Sequence, residues 1–117
     1  MERGSELRVV IAGGGTGGHL YPGIAVAREL VARRKDARVS FAGTARGIEA
    51  RVVPREGFPL DLLRSGGLKG KSLAERVRGA ALVPVGLLDA WRILAAKRPH
   101  LVIDVGGYSS GPVVLAA

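Results

Sequence analysis

The chain contains no cysteine, which excludes a disulfide scaffold, a Cys-ligated zinc site and a thiol nucleophile, and fits a reducing compartment. Aromatic residues are only 4% of the sequence, and no basic run is interleaved with them. Stacking of bases is therefore unsupported, and nucleic acid is not an expected partner. Spanning a bilayer takes about 20 apolar residues, and the uncharged stretch Gly79 to Leu88 is half that. Met1 to Glu6 is polar and does not read as a signal peptide. The sequence thus predicts a protein that can touch a membrane without crossing it. Acids are also scarce: 10 Asp and Glu face 18 Lys and Arg, a net charge of +8.

The excess charge is unevenly placed, since residues 64–98 carry eight basic side chains against two acidic ones. That segment should face something anionic, and with nucleic acid disfavoured the candidates are a phosphorylated substrate or an anionic lipid surface. Hydrophobic residues make up 47% of the chain and charged residues 24%, the balance of a single packed domain. Glycine is abundant, with 18 residues and no collagen period, so the glycines should sit at particular turns.

Leu7 to Ala12 (LRVVIA) has the length and β-branched content of a buried parallel strand, and it runs into the glycine loop Gly13 to His19. Ile24, Ala27 and Val31, with Leu30 beside them, mark an amphipathic helix that has Pro22 near its first turn and Arg33, Arg34 and Lys35 at its end. Ala37 to Ala42 reads as a second strand. Gly47 to Glu56 reads as a short helix broken near Pro54, and Pro59 to Leu63 as a third strand. After the basic glycine loop Ser65 to Lys71, Ser72 and Glu75 form a capping box, so a helix should start at Ser72. Pro84 and Gly86 are expected to kink or split it. A second stretch, Val85 to Lys97, then places Leu88, Trp91 and Ala95 on one face, and Pro99 ends it before the strand Leu101 to Val105. A second glycine loop, Gly106 to Pro112, feeds a helix of which Pro112 to Ala117 is the first turn or two.

This alternation predicts an α/β fold: a Rossmann-like parallel sheet in the order 3-2-1-4, with right-handed crossovers and helices on both faces. Ligands of such folds bind beyond the carboxyl ends of the strands at the topological switch point, which here falls between the first and fourth strands. Both glycine loops follow those two strands. A four-stranded sheet with an unfinished crossover is small for this class, so the sequence reads as the front part of a longer protein.

Glycine turns let backbone approach a phosphate, and the following helix N-terminus offers partial positive charge. Gly13, Gly15 and Gly18 have the dinucleotide-binding spacing. That reading also wants an acid after the second strand to hold a ribose. The strand ends instead in Ala42-Gly43-Thr44-Ala45-Arg46, and Asp36 precedes it, so NAD is disfavoured while Arg46 leaves NADP open. No G-x-x-x-x-G-K-[ST] run supports an NTPase. His19, at the junction of loop and helix, should point into the cleft, as a general base or as a helix cap or phosphate ligand. His100, after Pro99, is expected to be structural.

Gly14-Gly15-Thr16-Gly17-Gly18-His19, with Pro22 after it, resembles the first glycine loop of the MurG glycosyltransferases. Gly106-Gly107-Tyr108-Ser109-Ser110-Gly111-Pro112 resembles their second, Arg64 to Lys71 their basic loop, and Asp89-Ala90-Trp91-Arg92 their following helix. The stretch Gly79 to Gly86 departs from the family in length. The resemblance implies the N-terminal, acceptor-binding half of a GT-B enzyme, residues 1–117, with a C-terminal donor-binding domain outside the chain. The implied reaction is inverting, metal-independent and cofactor-free. It transfers N-acetylglucosamine from UDP-N-acetylglucosamine to undecaprenyl-pyrophosphoryl-MurNAc-pentapeptide, converting lipid I to lipid II in peptidoglycan synthesis.

On this resemblance His19 is the candidate base. Gly14, Gly15, Thr16, Gly17 and Gly18, with Gly106, Gly107, Tyr108, Ser109, Ser110 and Gly111, receive the donor sugar and the acceptor pyrophosphate, while most uridine contacts belong to the other domain. Lys69, Lys71, Leu73, Arg76, Val77, Arg78, Leu87, Leu88 and Trp91 would hold the protein peripherally on the cytoplasmic face of the bacterial plasma membrane, an anionic surface. Such a fragment is expected to be inactive alone and to self-associate through its fourth strand or through the face beside Pro112 to Ala117. The alternatives are a membrane-recruiting, non-catalytic subunit of a split glycosyltransferase and an NADP-binding Rossmann domain.

Overall fold

A computed structural model gives the structure of the protein and describes residues 6–13, 17–64, 73–106 and 110–116. Four strands, β1 (Leu7–Ala12), β2 (Ala37–Gly43), β3 (Leu60–Leu62) and β4 (Leu101–Asp104), form one parallel sheet in the order β3-β2-β1-β4. Helices α1 (Gly17–Arg33), α2 (Glu49–Arg55), α3 (Leu73–Lys97) and α4 (Ser110–Ala116) alternate with them. This is the Rossmann-like strand order expected from the sequence. The register sets Val9 opposite Val39 and Leu101, and Ile11 opposite Phe41 and Ile103. Side chains alternate across a pleated strand, so each strand divides between two cores. Val9, Ile11, Val39 and Phe41 join Leu20, Ile24 and Ala27 of α1 and Val52 and Val53 of α2. Val10, Ala12 and Ala42 join Ala90 of α3 and Val113 of α4 on the opposite face.

Several boundaries differ from the sequence reading. α1 begins at Gly17, a turn earlier than Pro22 suggests, and Pro22 lies inside it. The ring costs one hydrogen bond near the helix start, but Leu20 is fully buried and fixes the first turn against the sheet. The buried stripe of α1 is Leu20, Gly23, Ile24 and Ala27, and Val31 is exposed. Gly23 lets the helix come close, since a Cβ there would stand 3.2 Å from Ile11 Cγ2. α2 continues through Pro54 to Arg55. α3 is one helix of 25 residues and is not split at Pro84 and Gly86. Pro84 is exposed while Gly86 is buried, so the ring projects away from the interior and the one hydrogen bond it removes does not end the helix. β4 stops at Asp104, although the Val105 N–H still donates to the Ala12 carbonyl at 2.9 Å.

Candidate functional site

The carboxyl ends of β1 and β4 meet through two glycines with left-handed backbone. Gly13 has φ +138° and Gly106 has φ +94°, conformations that favour glycine. They also touch: a Cβ on Gly13 would collide with the Gly106 carbonyl oxygen and stand 2.6 Å from Val105 Cγ2. A Cβ on Gly106 would stand 3.2 Å from His19 Cδ2 and 3.5 Å from its Nε2. The imidazole therefore lies directly over the second glycine turn. His19 is the third residue of α1, and its neighbour Leu20 is buried in the core. With about 100° of helical rotation between consecutive residues, Leu20 points into the sheet and His19 is carried sideways over β4.

The amino termini of α1 and α4 lie at this same end of the sheet, because in a parallel α/β fold each helix starts where a strand finishes. α1, with 17 residues, brings unpaired amides and the positive end of its dipole to Gly17 and Gly18, next to His19. The arrangement can attract an anionic group and place an imidazole nitrogen beside it. Gly17, Gly18, His19 and Gly106 are thus brought together, and Ser110 and Gly111 open α4. Gly14, Gly15, Thr16, Gly107, Tyr108, Ser109, Lys69 and Lys71 lie outside the described residues.

The sequence reading gave no role to Asp104 or Glu49. Asp104 Oδ1 accepts the Gly106 N–H at 2.8 Å, shaping the turn that receives His19. The D-x-G spacing is the signal for such a side-chain-to-backbone turn. Glu49, the first residue of α2, is buried at 1% exposure, and its Oε2 accepts the Thr44 N–H at 2.9 Å and the Thr44 hydroxyl at 3.2 Å in the loop after β2. His100 is structural, as expected: it pins the amino end of β4 to β1. Its Nδ1 accepts the Arg8 N–H at 3.0 Å and its own N–H donates to the Arg8 carbonyl at 2.8 Å.

In the basic middle segment Arg64 is tied to Asp89. The Arg64 backbone N–H and Nε donate to Asp89 Oδ2 at 2.8 and 2.9 Å, and Nη2 donates to Oδ1 at 2.8 Å. These bonds from Arg64 hold the Asp89 carboxyl down at about 2. Beyond Asp89, the outward side of α3 is apolar. Val77, Pro84, Leu88, Trp91 and Ala95 are all exposed, and at about 100° per residue they fall within an arc of roughly 60° along roughly 27 Å of helix. Val77 is 59% and Trp91 60% exposed, large values for such side chains on a packed helix. Gly86 and Ala90 are buried on the opposite side, and Leu87 is half-buried. Leu73, Arg76 and Arg78 lie in α3, with only their backbone described. Among the described residues no helix is long and apolar enough to cross a membrane. Cavities of about 700 and 440 Å³ open near Arg8, His100 and Leu101 and near Arg8, Arg38 and Phe58. These flank the amino ends of the strands, away from His19.

Residues 9–117 match the family described as the glycosyltransferase family 28 N-terminal domain. The chain is 53% identical over 111 residues to a UDP-N-acetylglucosamine–N-acetylmuramyl-(pentapeptide) pyrophosphoryl-undecaprenol N-acetylglucosamine transferase of Myxococcus xanthus, covering 95% of this chain and 29% of that protein. It is 55% identical over 112 residues to the protein of the same name in Bdellovibrio bacteriovorus, covering 96% of this chain and 31% of the relative. The chain thus spans less than a third of the length of these relatives. Its structure is similar to the crystal structure of Acinetobacter baumannii MurG, with a TM-score of 0.78 and 28% identity over 95% of this chain and 31% of that one.

Proposed function

The chain belongs to the glycosyltransferase family 28 N-terminal-domain family, and from that membership we propose that it is the acceptor-binding, membrane-facing half of an inverting N-acetylglucosaminyltransferase of the GT-B type. The reaction is the one named in its relatives: N-acetylglucosamine passes from UDP-N-acetylglucosamine to the muramyl sugar of undecaprenyl-pyrophosphoryl-MurNAc-pentapeptide, lipid I becoming lipid II. A second domain, corresponding to the remaining length of the relatives, holds most of the uridine. The observation that carries this reading is the imidazole of His19 set over Gly106, where the turns after β1 and β4 meet at the start of α1.

In the transfer step His19 takes the proton of the acceptor C4 hydroxyl as that oxygen forms a bond to the anomeric carbon. The bond from the anomeric carbon to the phosphate oxygen breaks on the opposite face, and UDP leaves with its electron pair. The amides and dipole at the amino terminus of α1 favour the negative charge of a pyrophosphate held at this edge. Replacing His19 with Ala in the transferase that contains this chain is expected to lower kcat by about 10²- to 10⁴-fold with little change in acceptor KM, the signature of a group acting in the transition state. An unchanged kcat would remove His19 from the chemistry and leave the chain as an acceptor-presenting subunit.

The apolar stripe of α3 supports docking on the cytoplasmic face of the plasma membrane, and the cations that residues 64–98 carry in sequence would add to it. Near an anionic leaflet each cation contributes about 1 kcal/mol, and salt screens that contribution. Binding to anionic but not zwitterionic vesicles, weakened by salt, is expected; equal binding to both overturns it. The outer edge of β4, where Leu101 is 47% exposed, supports self-association of the isolated chain. Sedimentation as a monomer at high concentration would rule that out.

A further inference from the structure

A Rossmann-type sheet usually offers the end of its second strand to a ligand, and here that end is occupied by the protein itself. The Glu49 carboxylate is 1% exposed and is held by the Thr44 N–H and hydroxyl. The glycines on either side of the turn leave room for it. A Cβ on Gly43 would stand 2.6 Å from Glu49 Cγ and 2.9 Å from its Oε2, and a Cβ on Gly47 would collide with Oε1. Neither glycine is among those with left-handed backbone, so at these positions it is the carboxylate, not the backbone conformation, that demands glycine. A carboxylate at the tip of a flexible side chain can usually move aside, but moving this one would break both bonds from Thr44 and leave the Thr44 N–H buried without that partner.

We infer that Glu49 is a positioning residue: its carboxylate is the internal anion around which the turn Gly43 to Gly47 closes, and by filling that cradle it shuts the β2 end of the ligand edge to a nucleotide ribose or phosphate. The G-T-x-x-G-x-E run is then one unit, with two glycines making space, a threonine donating and a glutamate occupying. The Gly43 carbonyl also accepts the Leu63 N–H at 2.8 Å and the Ala42 carbonyl accepts the Gly13 N–H at 3.3 Å. The closed turn therefore braces the strand ends on both of its sides, including the one that carries Gly13. This assignment goes beyond the proposed transfer reaction and does not depend on it.

A double-mutant cycle tests the inference in this chain. Gly47→Ala alone should lower Tm by about 4–8 °C, whereas in a Glu49→Ala background the same change should cost nothing, because the atom it meets is gone. Additive effects would overturn the proposal. The second measurement follows the Thr44 amide by NMR. In the Glu49→Ala chain, acetate or inorganic phosphate, each compared with sodium chloride of equal ionic strength, should shift that amide saturably toward its original position. In the unsubstituted chain, phosphate and NADPH should leave it unmoved. No shift with either anion in the variant, or a saturable shift in the unsubstituted chain, overturns the assignment. If Glu49→Ala does not fold, Glu49→Gln preserves the shape and removes the charge. Its Thr44 amide proton should move upfield while the amides of Val9 and Val39 stay in place, and an unmoved Thr44 amide counts against the proposal.

Discussion

The two faces of the sheet are packed to different ends. On one, α1 and α2 cover a continuous core in which Ile11, Leu20, Ala27, Phe41 and Val53 are all 1% exposed or less. On the other, among the described residues, the buried set is smaller and made mostly of small side chains, Ala12, Ala42, Ala90 and Val113 among them, while α3 turns Val77, Leu88 and Trp91 outward. The first face spends its apolar residues on folding. The second divides them between folding and a surface, so hydrophobicity alone does not tell which residues of α3 hold the protein together.

The sharpest way to break this contrast is a pair of truncations. Phe41→Ala should cost about 3–5 kcal/mol of unfolding free energy in urea, since the ring is buried and packs at a tilt against Phe58 with ring centroids 5.5 Å apart, and a cavity would remain. Trp91→Ala should cost no more than about 0.5 kcal/mol, as surface changes do. Comparable losses for the two would mean that the α3 stripe is core after all. A smaller effect is expected from replacing Val77, Leu88 and Trp91 together with Ser. Affinity for anionic vesicles should fall by about 30-fold, or roughly 2 kcal/mol, with Tm nearly unchanged. Intact vesicle binding would separate the stripe from the membrane.

The smallest effect concerns the pair that ties α3 to the end of β3. Asp89 is held at about 2 by Arg64, below its ordinary value of 3.8. A carboxyl lowered on folding stabilises the fold above its ordinary range, and that stabilisation is lost as pH falls from about 4 through about 2. Asp89→Asn should therefore cost about 1 kcal/mol at pH 7, a figure kept modest because Arg64 is solvent-exposed, and almost nothing at pH 2. Urea unfolding of both proteins at the two pH values measures it, and a cost independent of pH would mean that the pair acts through shape and not charge.

Much of this was legible along the chain. The alternation of strands and helices, the glycines that end β1 and β4, the position of His19 and the structural role of His100 follow from strand length, turn residues and neighbouring prolines, and the order 3-2-1-4 is the one that this fold class implies. Those signals are local, as are the preferences behind them. Two interruptions misled the reading. Pro22 and Pro84 look like helix boundaries, yet both lie inside helices, because a proline costs one hydrogen bond and packing around it can offset that loss. Glu49 was hidden for a different reason: a single acid after two glycines looks like any exposed glutamate until its burial and the direction of its carboxylate are known.

The sequence by itself determined which segments alternate, where the chain turns and which residue types stand at the ends of β1 and β4, since these depend on backbone preferences and on the period of apolar residues over a few positions. The tertiary structure alone decided that the His19 imidazole rests on Gly106, that Glu49 turns inward to close the β2 end, and that α3 presents an apolar stripe outward. Each of these is a relation between segments, and the sequence pattern of one helix is the same whether its partner is a sheet, a lipid surface or water. Burial fixes which partner an apolar side chain meets, and only the packed arrangement of all the elements fixes burial.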